Sequence, residues 1–162
     1  MTREEKETAY QNAIEKIDAV LLGEQNMILK MSTINCIMRD HFPNYFWIGF
    51  YCVNAGALLV GPYQGTLGCL HISFDRGVSG RAVRTQTTQI VENVHLDPEH
   101  IACDSRTNSE IVVPVFDNDN QLIAVFDMDS IEKGAFDAID QVHVEAMIKK
   151  HFKESVLEKQ YI

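Results

Sequence analysis

The spacing of apolar residues changes at Pro43, and this change constrains the fold more than any other feature. Before Pro43, apolar residues recur at helical spacing over residues 3–22 and 25–41, and Gly23 can end the first helix. After Pro43, apolar and polar residues alternate with the period of a β-strand. The sequence therefore predicts two helices followed by a sheet.

The part of the chain after Pro43 predicts about six strands and two further helices. Residues 54–56 and 118–120 have the composition of hairpin turns. A short helix is predicted over 75–86 and a closing helix over 137–159, with Asp137 as its N-cap. The predicted strands cover 45–53, 57–63, 69–74, 88–93, 109–117 and 121–129. This order predicts an α+β fold, an antiparallel sheet of about six strands with the N- and C-terminal helices packed on one face.

Length and charge limit the function. The 162 residues predict a single domain, 1–162, with its core at about 20–155. The chain has 23 Asp and Glu against 14 Lys and Arg, a net charge of -9, which disfavours nucleic acid and anionic membranes as partners. With this acidic charge, a small neutral or zwitterionic molecule is the expected ligand. No apolar run approaches the roughly 20 residues that span a bilayer, so we expect a cytoplasmic protein.

Cys103 is the cysteine best placed for chemistry. It lies in a polar loop just before the apolar strand at 109–117, and a thiol held on a loop against a sheet is accessible to a substrate. Cys36 and Cys52 fit the alternative of small buried side chains, and we assign them no role. Cys69, at the start of a strand, fits either interpretation equally well.

Three carboxylates are candidates to share a pocket with Cys103. Glu110 begins one strand, while Asp127 and Asp129 alternate at the end of the next, although by pattern alone such residues are more often a solvated strand end. Trp47 and Tyr51 share one strand face and are core aromatics as often as pocket walls. The His and Cys spacings match no usual zinc-ligand pairs, so no metal site and no bound cofactor is predicted.

Several motifs together carry a resemblance to a known family. They are WIGFY (47–51), GPYQG (61–65), GVSG (77–80), HIACDS (100–105), SEIVVPV (109–115) and FDMDS (126–130). With this order of elements the chain resembles the free methionine-(R)-sulfoxide reductases, which are stand-alone GAF domains, over about residues 20–150. The resemblance implies an oxidoreductase that reduces free L-methionine (R)-sulfoxide, with thioredoxin as the dithiol reductant and, by analogy, a homodimer.

The resemblance also implies roles for two thiols. Cys103 would attack the sulfoxide sulfur and become a sulfenic acid, and Cys69 would resolve it as a disulfide. Most family members have a third cysteine where this chain has Ser79, which puts the recycling route in question. Acidic neighbours such as Asp104 disfavour a Cys103 thiolate, so we expect a raised pKa and low general reactivity at this thiol.

The same resemblance places the acids and aromatics around the substrate. Glu110, Asp127 and Asp129 would bind the α-ammonium, which a peptide bond removes, or protonate the sulfoxide oxygen; the sequence does not divide these tasks among them. Trp47 and Tyr51 would wall the pocket and contact the S-methyl group. Two other classes stay open: a GAF small-ligand sensor without turnover, and an interaction protein with a thiol switch.

Overall fold

The computed structural model describes residues 1–158, and a six-stranded antiparallel sheet lies at the centre of this part of the chain. The strands are β1 (Tyr45–Asn54), β2 (Ala57–Gln64), β3 (His71–Ser73), β4 (Gln89–Val91), β5 (Ser109–Phe116) and β6 (Leu122–Ser130). Their order across the sheet is β3-β2-β1-β6-β5-β4. The predicted α+β fold is confirmed.

The helices divide between the two faces of the sheet. They are α1 (Arg3–Val20), α2 (Met27–His41), α3 (Gly77–Thr85) and α4 (Ala138–Ile148). The predicted terminal helices, α1, α2 and α4, pack together on one face and bury the larger apolar core, which includes Ile48 and Phe50. On the other face, α3 and the connecting loops cover a smaller core that includes Trp47 and Tyr51. Alternation along β1 therefore sends successive side chains to different cores.

A buried polar cluster ties the terminal helices to the sheet. The Lys6 ammonium lies 2.6 Å from one carboxylate oxygen of Asp140, and the hydroxyls of Tyr10 and Tyr45 donate to the other at 2.7 and 2.9 Å. Asp140 also accepts from the backbone N–H of Asp137, which completes the predicted capping box of α4. Every member of the cluster is hydrogen-bonded, as a buried charge requires.

The C-terminal helix is shorter than the predicted 137–159. It ends at Ile148, and a π-helical turn follows over Lys149–Lys153; Lys159 lies outside the described residues. The buried Lys30 ammonium donates to the carbonyl oxygen of His151 at 2.8 Å. The same carbonyl oxygen accepts from the Ser155 hydroxyl, so side chains rather than a further helical turn satisfy it.

The long connection between β4 and β5 is irregular, as predicted, with one 3₁₀ turn at Val94–Leu96. An ion pair between Arg81 of α3 and Asp97, with N···O 2.7 Å, holds the loop against α3. This loop carries Cys103 to the sheet face opposite the terminal helices. Within residues 1–158, no helix has the length and apolar character needed to cross a bilayer.

Candidate active site

A cleft of about 510 Å³, its open mouth included, lies on the sheet face opposite the terminal helices. Its walls come from β1, β5 and β6, the first turn of α3, the segment at 67–68 and the loop at 100–107. The sheet supplies a rigid wall, and the loops bring the chemically reactive side chains to it.

Cys69 and Cys103 are joined by a disulfide, with their Cα atoms 5.4 Å apart. Cys103 is exposed and lines the cleft, while Cys69 is half-buried in the loop before β3. The structure thus brings together the two cysteines that the sequence singled out, which are 34 residues apart. Their roles as nucleophile and resolving thiol stay predictions.

The other two cysteines are free thiols. Cys52 is buried in the larger core, as predicted, and burial raises its pKa to about 11. The expectation that Cys36 is buried is wrong: it is exposed, because it lies on the side of α2 that faces away from the sheet. Neither residue lies in the cleft.

Trp47 and Tyr51 are both buried and form one wall of the cleft. Their rings stack with centroids 5.4 Å apart and an interplanar angle of 17°. The indole N–H of Trp47 donates to the carbonyl oxygen of Thr66 at 3.0 Å, and the Tyr51 hydroxyl accepts from the backbone N–H of Cys69. At Gly68 a Cβ would lie 3.0 Å from the Tyr51 hydroxyl, so the loop passes close over the rings. The aromatic pair therefore fixes the backbone that carries Cys69. The sequence predicts a strand from residue 69, whereas β3 begins only at His71, because residues 69–70 belong to this fixed segment.

The three predicted acids meet at the same wall. Glu110 of β5 pairs with Asp129 of β6 across the ladder, and Asp127 lies two residues along β6 on the same face. One carboxylate oxygen from each of the three lies within 4.8 Å of the others. Glu110 and Asp127 are each 6% exposed. Three acids so close together suit a cation, whether an ammonium group or a metal ion.

Burial perturbs two of these acids strongly. It raises the pKa of Asp127 well above its ordinary value, and the charges of Asp129 and Glu110 raise it further. The pKa of Asp129 is likewise raised by burial and then by Glu110 and Asp104, with a hydrogen bond from Thr107 opposing. Oδ1 of Asp127 is buried without a hydrogen-bond partner. Without a bound cation, the pair therefore favours a protonated state.

The chain is similar to several known proteins. The GAF domain family model matches residues 40–148. GAF domain-containing protein A of Dictyostelium discoideum is 38% identical over 89% of this chain and 90% of its own length. The free methionine-R-sulfoxide reductase of Saccharomyces cerevisiae is 34% identical over 89% of this chain and 84% of its own length. The chain belongs to the free methionine-R-sulfoxide reductase family.

A solved structure of a family member has the same fold. The free methionine-R-sulfoxide reductase of Neisseria meningitidis, in complex with its substrate, superposes with a TM-score of 0.85. It is 35% identical, and the match covers 89% of this chain and 86% of that chain. As a member of this family, the protein is an oxidoreductase.

The position at which this reductase differs from the motif lies in the cleft. Ser79 is 5% exposed and lines the cleft in the first turn of α3, together with Gly77 and Val78. Gly77 has a φ of +73°, and a Cβ there would lie 3.1 Å from Ile101. No side chain caps this turn, so its N–H groups remain available to an anion at the cleft.

Several contacts around the predicted site were not identified from the sequence. Asp104 accepts from the Thr66 hydroxyl at 2.7 Å and pairs with Arg106 at 2.8 Å, contacts that hold its pKa well below the ordinary value. Its charge is thus balanced by Arg106 rather than directed at Cys103 alone. Nδ1 of His100 lies 3.3 Å from Glu110. These contacts come from irregular loops, and no spacing in the sequence indicates them.

Proposed function

We propose that the protein reduces free methionine (R)-sulfoxide to methionine by thiol chemistry, with thioredoxin restoring the oxidised cysteines. The observation that carries the proposal is the Cys69–Cys103 disulfide at a cleft in which three acids converge. The substrate complex of the Neisseria relative supports the same assignment.

Cys103 begins the reaction by attacking the sulfoxide sulfur. The bond between the two sulfurs forms as the protonated oxygen leaves the sulfoxide sulfur as water. Water then attacks the Cys103 sulfur, the bond to the methionine sulfur breaks, and methionine leaves while Cys103 becomes a sulfenic acid and a proton is released. The Cys69 thiol then attacks the sulfenic sulfur, which forms the disulfide and releases water. A dithiol supplies the two electrons and two protons that return both residues to thiols.

The coupled pair of Asp127 and Asp129 supplies the proton in this proposal. Their raised pKa values favour retention of a proton at pH values where an ordinary carboxyl has lost it. With Glu110 they also surround the substrate ammonium. A methionine within a peptide has no such charge and would leave buried carboxylates unpaired, so the site selects the free amino acid.

The remaining groups of the substrate match the other walls. The uncapped first turn of α3 suits the α-carboxylate, because helix N-termini favour anions. Trp47 and Tyr51 provide the aromatic surface against which an S-methyl group packs favourably. The substrate would therefore be held at both ends of its zwitterionic head and at its sulfur.

The reduced protein, incubated with free methionine (R)-sulfoxide and dithiothreitol, should form many equivalents of methionine. The S epimer and an N-acetylated or peptide-bound (R)-sulfoxide should react far more slowly. Binding without product would instead indicate a sensor, and one equivalent or less would indicate a switch.

A homodimer and a cytosolic location complete the proposal. A reducing compartment keeps Cys36 and Cys52 as thiols and supplies thioredoxin. Sedimentation equilibrium tests the dimer, and fractionation of cells tests the location.

A further inference from the structure

Two separate links join the loops that carry Cys69 and Cys103. One is the disulfide itself. The other is a hydrogen bond in which the Thr66 hydroxyl, three residues before Cys69, donates to the carboxylate of Asp104, directly after Cys103, at 2.7 Å. The disulfide must break and form again in every cycle of the proposed reaction, whereas the hydrogen bond requires no change of oxidation state.

The Thr66 side of this hydrogen bond is anchored by contacts that involve neither sulfur. The carbonyl oxygen of Thr66 accepts from the indole N–H of Trp47 at 3.0 Å, which ties the residue to β1. At Gly65 the chain lies so close to β1 that a Cβ would clash with the carbonyl oxygen of Phe46. These contacts therefore remain available when the disulfide is reduced.

The Asp104 side is held within its own loop. The carboxylate accepts from the Arg106 guanidinium at 2.8 and 3.0 Å and from the backbone N–H of Arg106 at 2.9 Å. The guanidinium lies over the Phe46 ring, 5.2 Å from its centroid, which connects this loop to β1 as well. The contacts with Arg106 and Thr66 hold the pKa of Asp104 well below its ordinary value. The carboxylate is thus a charged acceptor, and its bond to Thr66 is stronger than one between neutral groups.

We propose that Thr66 and Asp104 are positioning residues, which hold Cys69 beside Cys103 while the disulfide is reduced. This inference rests on the proposed function. Once Cys103 is a sulfenic acid, the Cys69 thiolate attacks its sulfur, the sulfur–oxygen bond breaks, and the departing hydroxide takes up the proton lost by Cys69 to give water. Loops that are held together give the second thiol a high effective concentration, so the sulfenic acid is resolved before it is oxidised further.

The same hydrogen bond should stabilise the disulfide relative to the two thiols. Without the bond, the loops of the reduced protein gain freedom that disulfide formation must remove again. The gain is smaller in the oxidised protein, because the disulfide already restrains both loops. Loss of the bond should therefore raise the reduction potential, and this shift can be measured without any methionine sulfoxide.

The first test measures the potential of the Cys69–Cys103 pair against glutathione. Thr66→Val removes the hydroxyl and leaves every charge in place. It should lower the equilibrium constant for disulfide formation about tenfold, which raises the reduction potential by about 30 mV. Thr66→Ser keeps the hydroxyl and should stay within twofold of the unmodified protein. Thr88→Val is the matched control and should leave the potential unchanged, since the Thr88 hydroxyl donates to the Glu145 carboxylate outside the cleft.

The second test follows a single turnover of the reduced protein with methionine (R)-sulfoxide. In Thr66→Val, methionine formation should change less than threefold, because Thr66 lies outside the lining of the cleft. Formation of the disulfide should slow about tenfold, and a sulfenic-acid reagent such as dimedone should trap more of the Cys103 intermediate. Thr66→Ser should restore fast disulfide formation.

An unchanged potential in Thr66→Val overturns the proposal, even where urea denaturation shows that the variant unfolds more easily, because a role in stability alone would give that result. Equal shifts in Thr66→Val and Thr88→Val overturn it as well. A protein that forms no methionine contradicts the proposed function, and the potential still decides whether Thr66 and Asp104 position the two thiols.

Discussion

Glu110 and Asp129 face each other directly across the β5–β6 ladder. Like charges at opposed strand positions destabilise a sheet, and here Asp127 adds a third acid. The arrangement therefore costs folding stability in the free protein. In the proposed function, the cationic group of the substrate offsets that cost.

Replacing Asp127 should raise the stability of the protein and lower its activity. We expect Asp127→Asn to raise the free energy of unfolding at pH 7, by on the order of 1 kcal/mol, since one unit of pKa shift corresponds to about that energy. The kcat/KM for the sulfoxide should fall about a hundredfold or more. Asp119→Asn removes the same charge from the exposed hairpin turn and should change neither quantity.

The gain in the free energy of unfolding from Asp127→Asn should depend on pH. The folded state binds more protons than the unfolded state between the ordinary carboxyl pKa of about 3.9 and the raised value of the coupled pair, so stability declines as pH rises through that window. The gain from Asp127→Asn should grow across the window and vanish below it. Urea denaturation at several pH values measures this, and a gain independent of pH would contradict it.

The two thiols should have separable phenotypes. Cys103→Ser should form no methionine, because the nucleophile is lost. Cys69→Ser should still form one equivalent rapidly, while thioredoxin-supported turnover should fall about a hundredfold because no disulfide forms. Cys36→Ser is the control, as that thiol is exposed and free. Full thioredoxin-supported turnover in Cys69→Ser would show that another route resolves the sulfenic acid.

A cysteine at position 79 should not replace the existing disulfide. Ser79 is buried in the first turn of α3, and Cys69 already bonds to Cys103. We expect Ser79→Cys to change turnover with dithiothreitol less than threefold, and peptide mapping after one oxidation cycle to show chiefly the bond between residues 69 and 103. A main product containing residue 79 would mean that this serine alters the recycling route.

Asp140 should matter for stability and little for chemistry. Asp140→Asn leaves the buried Lys6 ammonium without its closest counterion, which should lower the free energy of unfolding by about 3–5 kcal/mol. Asp40→Asn breaks an exposed pair with Lys16 and should cost about 1 kcal/mol or less. Urea denaturation gives both values. A small effect of Asp140→Asn would show that the cluster is not important for stability.

Much of the fold could be predicted because the spacing of apolar residues indicates which side of each helix or strand is buried. Alternation identified both hairpins, and helical spacing identified α1 and α2 within two residues at every end. The end of α4 could not be predicted, because residues 137–159 contain no glycine or proline that would mark it. The burial of β1 on both faces similarly concealed which of its aromatics line a cleft.

The residues of the site also fall into those that the sequence identified and those that it did not. Strand alternation placed Asp127 and Asp129 on one face, and the motifs supplied Glu110 and the two cysteines. Thr66, Thr107 and His100 could not be identified, because they stand in irregular loops whose position follows from tertiary contacts. The missing information was therefore the path of the loops.

Phe126 and Met128 pack into the core under the terminal helices, while Asp127 and Asp129, which alternate with them, line the cleft. The acids cannot move apart without disturbing that packing, so in the free protein they stay close together and favour protonation, and an arriving positive charge stabilises their ionised form. Any small cation that fits should then make the protein more resistant to heat. Melting temperature alone can therefore rank candidate ligands, including compounds that contain no sulfur.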